Sequence, residues 1–280
     1  GKAKIIVIDR CYHGSVDESF ATLDAKGKTV AREGNIGAPV DLELTTRVVA
    51  FNNLPAMKKA LANNDVAAIL MEPAMTNVGI VLPKNDYLVG VQKLAKEFGA
   101  LLIIDETHTI SVGPGGMTAQ LSLSPDFLTI GKAIGGGFPT GAFGMTLGVA
   151  DSIKKLVELE VIDTGGIGGT LAANVLSLAA MRATLTKVLT EDNFEHMIKL
   201  GNRWADGVEK VIDKYKKDSR FFLQLRIDVK RRYFDDLDYK EYETQVQKLV
   251  DKHITTEGEI LKITELVNIF DKEKRGNLIT

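Results

Sequence analysis

Short apolar runs alternate with helical patterns up to about residue 215 of the 280-residue chain. Six of the runs are short and rich in β-branched residues, which favours strands. Between two of them, apolar residues recur at helical spacing from Tyr87 to Phe98, with Asp86 placed to cap the helix start and Gly99 its end. The predicted strands are Lys4–Ile8, Thr46–Phe51, Val66–Met71, Leu101–Ile104, Phe127–Ile130 and Ala142–Leu147.

The repeated strand–helix–strand order predicts an α/β fold with a mostly parallel sheet covered by helices on both faces. Later helices are predicted over Asp151–Leu159, Ala172–Leu189 and Asp192–Tyr215. Ligands of such sheets bind outside the carboxyl ends of the strands, so the polar residues at those ends mark the predicted site. Three strand ends carry Glu72, the run Asp105–His108, and Lys132.

Composition changes near residue 218. Residues 1–217 contain 47 charged residues (about 22%), whereas residues 218–280 contain 25 (about 40%). All seven prolines lie at or before Pro139, and only Gly258 and Gly276 of the 26 glycines lie in the tail. Stretches this different seldom share one core, so we predict a domain boundary at about 213–222, followed by a charged helical tail.

The formal net charge of −2 argues against nucleic-acid binding by residues 1–217, because nucleic-acid binders usually carry a basic excess. The single cysteine, Cys11, excludes an internal disulfide and fits a reducing, cytoplasmic setting. No apolar run approaches the ~20 residues of a membrane span. The start of the chain lacks the pattern of a signal peptide, and its first residue is Gly1 rather than Met, so we expect the natural start to be missing.

The residue types at the strand ends suit pyridoxal 5'-phosphate (PLP) chemistry. A PLP enzyme needs one lysine amine that condenses with the cofactor aldehyde, and Lys132 stands at a strand end before three glycines. It also needs a carboxylate that keeps the pyridine nitrogen protonated, and Asp105 is placed for that. Taken singly, Lys132 could be a surface lysine, Asp105 a helix cap and the glycines a flexible turn. Their order, with Lys132 27 positions after Asp105, favours the catalytic interpretation.

Four segments resemble class III aminotransferases, which are fold-type I PLP enzymes. They are Cys-Tyr-His-Gly at 11–14, EPAMTNVGIVLP at 72–83, LLIIDETHTISVGPGG at 101–116 and LTIGKAIGGGFP at 128–139. The resemblance runs from about residue 2 to about 215. It is closest to aminotransferases of β-amino acids such as β-phenylalanine, and more distant to glutamate-1-semialdehyde aminomutase.

The resemblance implies a role for each matching residue. Lys132 matches the Schiff-base lysine, and Asp105 matches the partner of the pyridine nitrogen. Tyr12 matches the aromatic residue that stacks on the ring, followed by His13 of the same motif, and Thr107 lies near the other ring face. His108 stands where a side chain, commonly glutamine, hydrogen-bonds the ring hydroxyl.

Two further residues belong to this predicted site. Glu72 is expected to order the rim of the site. Thr170, in Gly-Gly-Thr-Leu-Ala-Ala-Asn, matches a threonine that reaches the cofactor phosphate of the neighbouring subunit. Val175 stands where many relatives have proline, which affects the local turn rather than the threonine. No metal ligands are predicted.

The resemblance therefore implies that residues 1–217 are a partial PLP-binding large domain of a homodimeric transaminase. It would pass an amino group from a (β-)amino acid to a 2-oxo acid. Family members carry a phosphate-binding loop upstream and a small domain downstream. We expect both to be missing from this chain and catalysis to be impaired as a result. The alternatives are a glutamate-1-semialdehyde-type aminomutase and a non-catalytic fragment or fusion. A nucleotide-binding loop is disfavoured, because no G-x-G-x-x-G motif follows a strand.

The tail, residues 218–280, departs from this pattern. An amphipathic helix is predicted over Val229–Ile254, because Tyr242, Val246, Leu249 and Val250 recur at helical spacing. The last residues weakly resemble the C-terminal region of the motor subunit of type I restriction enzymes. Any charged helical appendage would look similar, so a separate origin of the tail, a fusion of fragments and an assembly artefact all remain open.

Overall fold

The computed structural model describes residues 1–35, 40–158 and 170–215. The chain divides into two compact units, residues 1–198 and 199–280, and most of the second lies outside the described residues. The helix predicted over Val229–Ile254 and the tail's resemblance also lie outside them, so both stay predictions, as does the domain boundary near residue 218.

A six-stranded sheet forms the centre of the first unit. In chain order its strands are β1 (Lys4–Ile8), β4 (Thr46–Val49), β5 (Val66–Met71), β6 (Leu101–Asp105), β7 (Phe127–Gly131) and β8 (Gly141–Met145). Their order across the sheet is β4-β1-β5-β6-β7-β8. The first five are parallel, and β8 runs antiparallel to β7 at the edge. The mostly parallel α/β fold is confirmed, and each predicted strand is present to within two residues at either end.

A small hairpin outside this sheet was not predicted. It pairs β2 (Ala21–Leu23) with β3 (Thr29–Ala31) in antiparallel register. Each strand has only three residues, which is too few for an alternating pattern to be recognised. The turn between them is held by Asp24, whose side chain accepts hydrogen bonds from the backbone N–H groups of Lys26 and Lys28.

In the part of the chain that the structure describes, six α-helices connect and follow the strands. The three predicted later helices are present as α4 (Leu147–Glu158), α5 (Val175–Lys187) and α6 (Glu191–Tyr215). The predicted helix after Asp86 is α2 (Tyr87–Glu97), although the Asp86 side chain makes no capping hydrogen bond. The helices not predicted are α1 (Leu54–Leu61) and α3 (Gly116–Gln120). The Asn53 side chain caps α1 by accepting a hydrogen bond from Ala56 N at 2.9 Å, and Pro55 lies in the first turn of the helix. The sequence Asn-Leu-Pro is typical of a helix start, so it could have predicted α1.

The core lies along the strands nearest the middle of the sheet. Most apolar residues of β1 and β5 are buried, because parallel strands inside a sheet are covered on both faces. They pack with the inner faces of α1 and α2, which contribute Met57, Leu61 and Val91. This packing fixes the strand ends that carry the polar residues. Within the described ranges, no helix combines the length and apolar character needed to cross a membrane.

Candidate active site

The carboxyl ends of β5, β6 and β7 open onto one cavity of about 500 Å³. The three strands are parallel neighbours, so the residues that follow them arrive at the same edge of the sheet. The segment after β1 supplies a further wall. Seven of the eight predicted site residues line the cavity: Tyr12, His13, Glu72, Asp105, Thr107, His108 and Lys132. A cavity of this size accommodates a small organic cofactor.

A buried ion pair lies at the bottom of this site. His13 Nδ1 is 2.8 Å from Asp105 Oδ2, and the two side chains are only 2% and 10% exposed. Burial acts to lower the pKa of His13, but its hydrogen bond to the Asp105 carboxylate and the neighbouring Cys11 raise that pKa to about 9. His13 is therefore charged at neutral pH, and its other ring nitrogen, Nε2, is buried without a hydrogen-bond partner.

Asp105 is held as a carboxylate by the same contacts. Burial acts to raise the pKa of Asp105, but hydrogen bonds from His13 and Thr107 lower it to about 2. The backbone N–H of Thr107 donates to Asp105 Oδ1 at 2.9 Å. Each carboxylate oxygen can accept a second hydrogen bond. Asp105 is thus an oriented anion that can still receive a proton donor from the cavity.

Tyr12 forms the outer wall beside this pair. The residue is 42% exposed, and its ring meets Phe20 edge-to-face, with 6.2 Å between the ring centroids. The Arg32 guanidinium lies over the Phe20 ring, 5.0 Å from its centroid, and donates a hydrogen bond to the backbone carbonyl of Cys11. The tyrosine is therefore positioned before any ligand enters. A partly exposed ring beside a cavity can stack on a flat ligand.

A second polar group links β5 to β6. The Thr76 hydroxyl donates to Glu72 Oε2 and lies 2.6 Å from His108 Nδ1. The carboxylate of Glu72 is buried, and its Oε1 has no hydrogen-bond partner. His108 is more open to solvent, with 42% of its side chain exposed. Glu72 and His108, predicted separately, are thus joined through a threonine that was not predicted.

Lys132 follows β7 directly and begins a 3₁₀ turn at Lys132–Gly135. Its φ is +45°, in the left-handed region that a residue with a side chain adopts only at a cost of about 1–3 kcal/mol. Strain of this kind persists where the surrounding structure imposes it, and it is concentrated at functional sites. The side chain is exposed and lines the cavity.

The first two of the three glycines after Lys132 pack tightly within the protein. A Cβ atom on Gly135 would lie 3.0 Å from Thr140 Cβ, and one on Gly136 would lie 2.7 Å from Thr184 Oγ1 of α5. Gly136 also has a φ of +58°. Glycine is needed at these positions because the turn packs tightly against its own protein.

Comparison with known proteins identifies the family. A model of class-III aminotransferases matches residues 1–221. The chain belongs to this family. Class-III aminotransferases use PLP, so the predicted enzyme family and its cofactor are confirmed.

Curated relatives include glutamate-1-semialdehyde 2,1-aminomutases. That of Akkermansia muciniphila is 33% identical over 224 residues, which is 79% of this chain and 51% of the relative. That of Methanothrix thermoacetophila is 34% identical over 221 residues, or 78% of this chain and 49% of the relative. The chain therefore spans about half the length of the curated relatives it matches.

Similar solved structures include an aminomutase of the same type and an aminotransferase. A glutamate-1-semialdehyde-aminomutase from Pseudomonas aeruginosa PAO1 superposes with a TM-score of 0.73 and 43% identity, covering 77% of this chain and 49% of that structure. The same aminomutase has been crystallised as a K286A variant in complex with PMP. A β-phenylalanine aminotransferase from Variovorax paradoxus superposes with a TM-score of 0.54 and 28% identity, covering 69% of this chain and 41% of that structure.

One predicted site residue is not brought to the cavity of this class-III aminotransferase chain. Thr170 is exposed and is not among the residues that line the cavity in the described part of the chain. Its expected role was toward a neighbouring subunit, so that role stays a prediction. Within the described ranges, no cluster of three or more histidine, cysteine or acidic side chains could hold a metal ion.

Sequence reasoning missed the importance of Glu106. This residue is completely buried next to Asp105, and its carboxylate is turned toward the start of α3. One oxygen accepts from the backbone N–H and hydroxyl of Thr118, and the other from Thr109 Oγ1 and Met117 N. Glu106 thereby ties the loop after β6 to α3 and supports Thr107 and His108. Sequence analysis assigned Asp105 to the ligand and gave Glu106 no task, because no local pattern shows which backbone groups a buried carboxylate will bind.

Proposed function

We propose that this chain binds PLP in the cavity at the ends of β5, β6 and β7 and transfers amino groups through Lys132. The observation that carries the proposal is the convergence of an exposed lysine and a buried His13–Asp105 ion pair on one 500 Å³ cavity. When bound, PLP supplies a protonated ring that draws electrons away from the substrate carbon. The amino donor is proposed to be a β-amino acid and the acceptor a 2-oxo acid.

The residues present fit this cofactor. Asp105 offers a carboxylate with free acceptor capacity for a ring N–H, and the low pKa of Asp105 keeps it ionised at neutral pH. Two buried polar atoms at the cavity, His13 Nε2 and Glu72 Oε1, have no hydrogen-bond partner, which is characteristic of a site that receives a polar ligand. Tyr12 supplies an aromatic face.

Each residue would have a separate task in the reaction. The Lys132 amine would bind the cofactor aldehyde and, once released, move the proton at the substrate carbon. Asp105 would hold the proton on the ring nitrogen. His13 would act as a positioning residue, because its charged imidazole fixes and balances the carboxylate that faces the ligand. Glu72 and His108 would order the opposite wall.

A second reaction is supported by similarity. Identity to the aminomutase structure is 43%, against 28% to the β-phenylalanine aminotransferase. Glutamate-1-semialdehyde-type aminomutation is therefore a candidate of at least equal standing. A transaminase passes the amino group to a separate 2-oxo acid, whereas an aminomutase returns it to the same molecule. Incubation with β-phenylalanine plus 2-oxoglutarate, and separately with glutamate 1-semialdehyde, distinguishes the two by the products formed.

Borohydride labelling tests the cofactor assignment. The full chain is incubated with PLP and reduced, and the labelled lysine is identified by peptide mass mapping. We expect the label on Lys132 and its loss in Lys132→Ala. Lys58→Ala, which removes an exposed lysine of α1, is the matched control and should keep the label. A label found chiefly on another lysine would refute the assignment.

We also retain three finer proposals. The transaminase would act as a homodimer, Thr170 would contribute to the neighbouring subunit's phosphate site, and residues 218–280 would form a separate tail.

A further inference from the structure

A groove of about 480 Å³ lies between α1 and α2. Its volume is within the range of small-molecule binding sites. It shares no lining residue with the cavity of the candidate active site. The groove is lined by Leu54, Pro55, Lys58, Gly90, Lys93 and Leu94.

The apolar part of this groove is fixed by the packing of the two helices. Leu54 of α1 and Leu94 of α2 are half-buried and pack against the hydrophobic core. Leu54 lies directly against Gly90, where a Cβ atom would be only 2.6 Å from Leu54 Cδ1. Gly90 thus permits this close approach of the two helices, and the leucines hold their positions before a ligand binds.

The charged part of the groove consists of two lysines, one from each helix. Lys58 and Lys93 are exposed, and neither forms an ion pair in the part of the chain that the structure describes. Helix α1 contains no acidic residue, and α2 contains only Glu97 at its end. The positive charge of the groove is therefore uncompensated by its own helices, and a cleft with charge of one sign attracts ions of the other sign.

The start of α1 favours a carboxylate over a phosphate as that anion. Phosphates at helix starts are held by several free backbone N–H groups. Here Pro55 has no N–H, and the N–H of Ala56 already donates to the Asn53 side chain at 2.9 Å. Lysine ammonium groups on flexible stems can still pair with a single carboxylate. A protein partner fits less well, because six lining residues are far fewer than the roughly 20–30 residues per side of a stable interface.

We propose that the groove between α1 and α2 binds an amphipathic monocarboxylate, with its apolar body against Leu54 and Leu94 and its carboxylate between Lys58 and Lys93. A medium-chain alkyl carboxylate such as octanoate has this chemistry. Burial of the alkyl chain supplies most of the affinity, whereas the lysines select the charged head group, because exposed ion pairs contribute little energy.

A photoreactive octanoate that carries a diazirine on its alkyl chain locates the site on the full chain. After irradiation, peptide mass mapping should find the label on residues of α1 or α2, and an excess of unmodified octanoate should reduce it. A label found chiefly at the active-site cavity or at another surface would overturn the proposal. Labelling that octanoate does not reduce would overturn it as well.

Calorimetric titration measures what the groove recognises. We expect octanoate to bind about tenfold more tightly than hexanoate, because two more CH₂ groups are buried. It should bind about fivefold more tightly than octanamide, which has the same chain without the charge. The double variant Lys58→Gln/Lys93→Gln should bind octanoate about fivefold more weakly and no longer distinguish it from octanamide.

The matched control removes two other exposed lysines of the same helices. Lys59→Gln/Lys96→Gln leaves the lining of the groove intact and should bind octanoate as the wild type does. Equal losses in the two double variants, or no loss in Lys58→Gln/Lys93→Gln, would refute the part assigned to the groove lysines.

Sedimentation of the full chain tests a different occupant, a second copy of the protein. We expect the wild type and Lys58→Gln/Lys93→Gln to sediment alike. Association of the wild type that this variant abolishes would make the groove an interface between copies and would overturn the proposal.

Discussion

Replacing His13 by glutamine removes the charge of the buried pair while keeping a hydrogen-bond donor for Asp105. The pKa of His13 is raised in the folded protein from 6.5 to about 9. A group whose pKa is raised by folding stabilises the folded state at low pH, and this contribution is lost as the pH rises through the folded value. For pKa values of 6.5 in the unfolded state and about 9 in the folded state, this stabilisation of the folded protein is about 2.5 kcal/mol at pH 7 and falls to nearly zero by about pH 10. Because the His13 side chain is only 2% exposed, solvent screens its interaction with Asp105 very little.

Urea unfolding of the full chain, followed by circular dichroism between about pH 7 and pH 10, measures this effect. We expect His13→Gln to be less stable than wild type by about 2–3 kcal/mol at pH 7, with the difference shrinking toward pH 10. Asp105 does not interfere, because the low pKa of Asp105 keeps it ionised throughout this range. His196→Gln, at an exposed position of α6, is the matched control. A difference between His13→Gln and wild type that stays constant with pH would refute the assigned charge of the pair.

Two further changes test the surroundings of Asp105. Gly116→Ala should lower the free energy of unfolding by more than about 2 kcal/mol, because the residue has a φ of +64° and a Cβ atom would lie 2.4 Å from Glu106 Oε2. Gly148→Ala in α4, where a Cβ would have open space, is its control in thermal denaturation, and equal melting temperatures for the two variants would contradict the prediction. Asp105→Asn should still bind PLP but lose at least about a hundredfold in the rate of amino-group transfer, since a neutral amide does not hold the ring nitrogen protonated. Near-normal rates in a single-turnover assay would mean that Asp105 is not the partner of that nitrogen.

The positions of the strands were predictable from the sequence because they depend on local patterns. Short β-branched runs separated by a helical stretch indicated all six strands of the main sheet. The end of each strand then marked where polar residues would gather, since parallel strands share one orientation. Glu72, Asp105 and Lys132 were therefore assigned to one edge without any knowledge of packing, and all three line the cavity.

The pairing of side chains across that edge was decided only by the tertiary structure. His13 and Asp105 are 92 positions apart, and no local pattern shows that their side chains meet at 2.8 Å. The contact of Thr76 with His108 spans 32 positions in the same way. Such pairs depend on the relative placement of separate strands, which is set by the core and not by either segment.

The task of Glu106 was the other property that the sequence analysis did not predict. Asp105 and Glu106 are adjacent acids at one strand end, yet the first faces the cavity and the second binds the start of α3. Successive side chains of an extended backbone point to opposite sides, so which acid reaches the ligand depends on how β6 sits in the sheet. The glycines after Lys132 are a further example. The sequence shows three glycines in a row, but only the tertiary structure shows that Thr140 and Thr184 leave no space for a Cβ atom at Gly135 and Gly136.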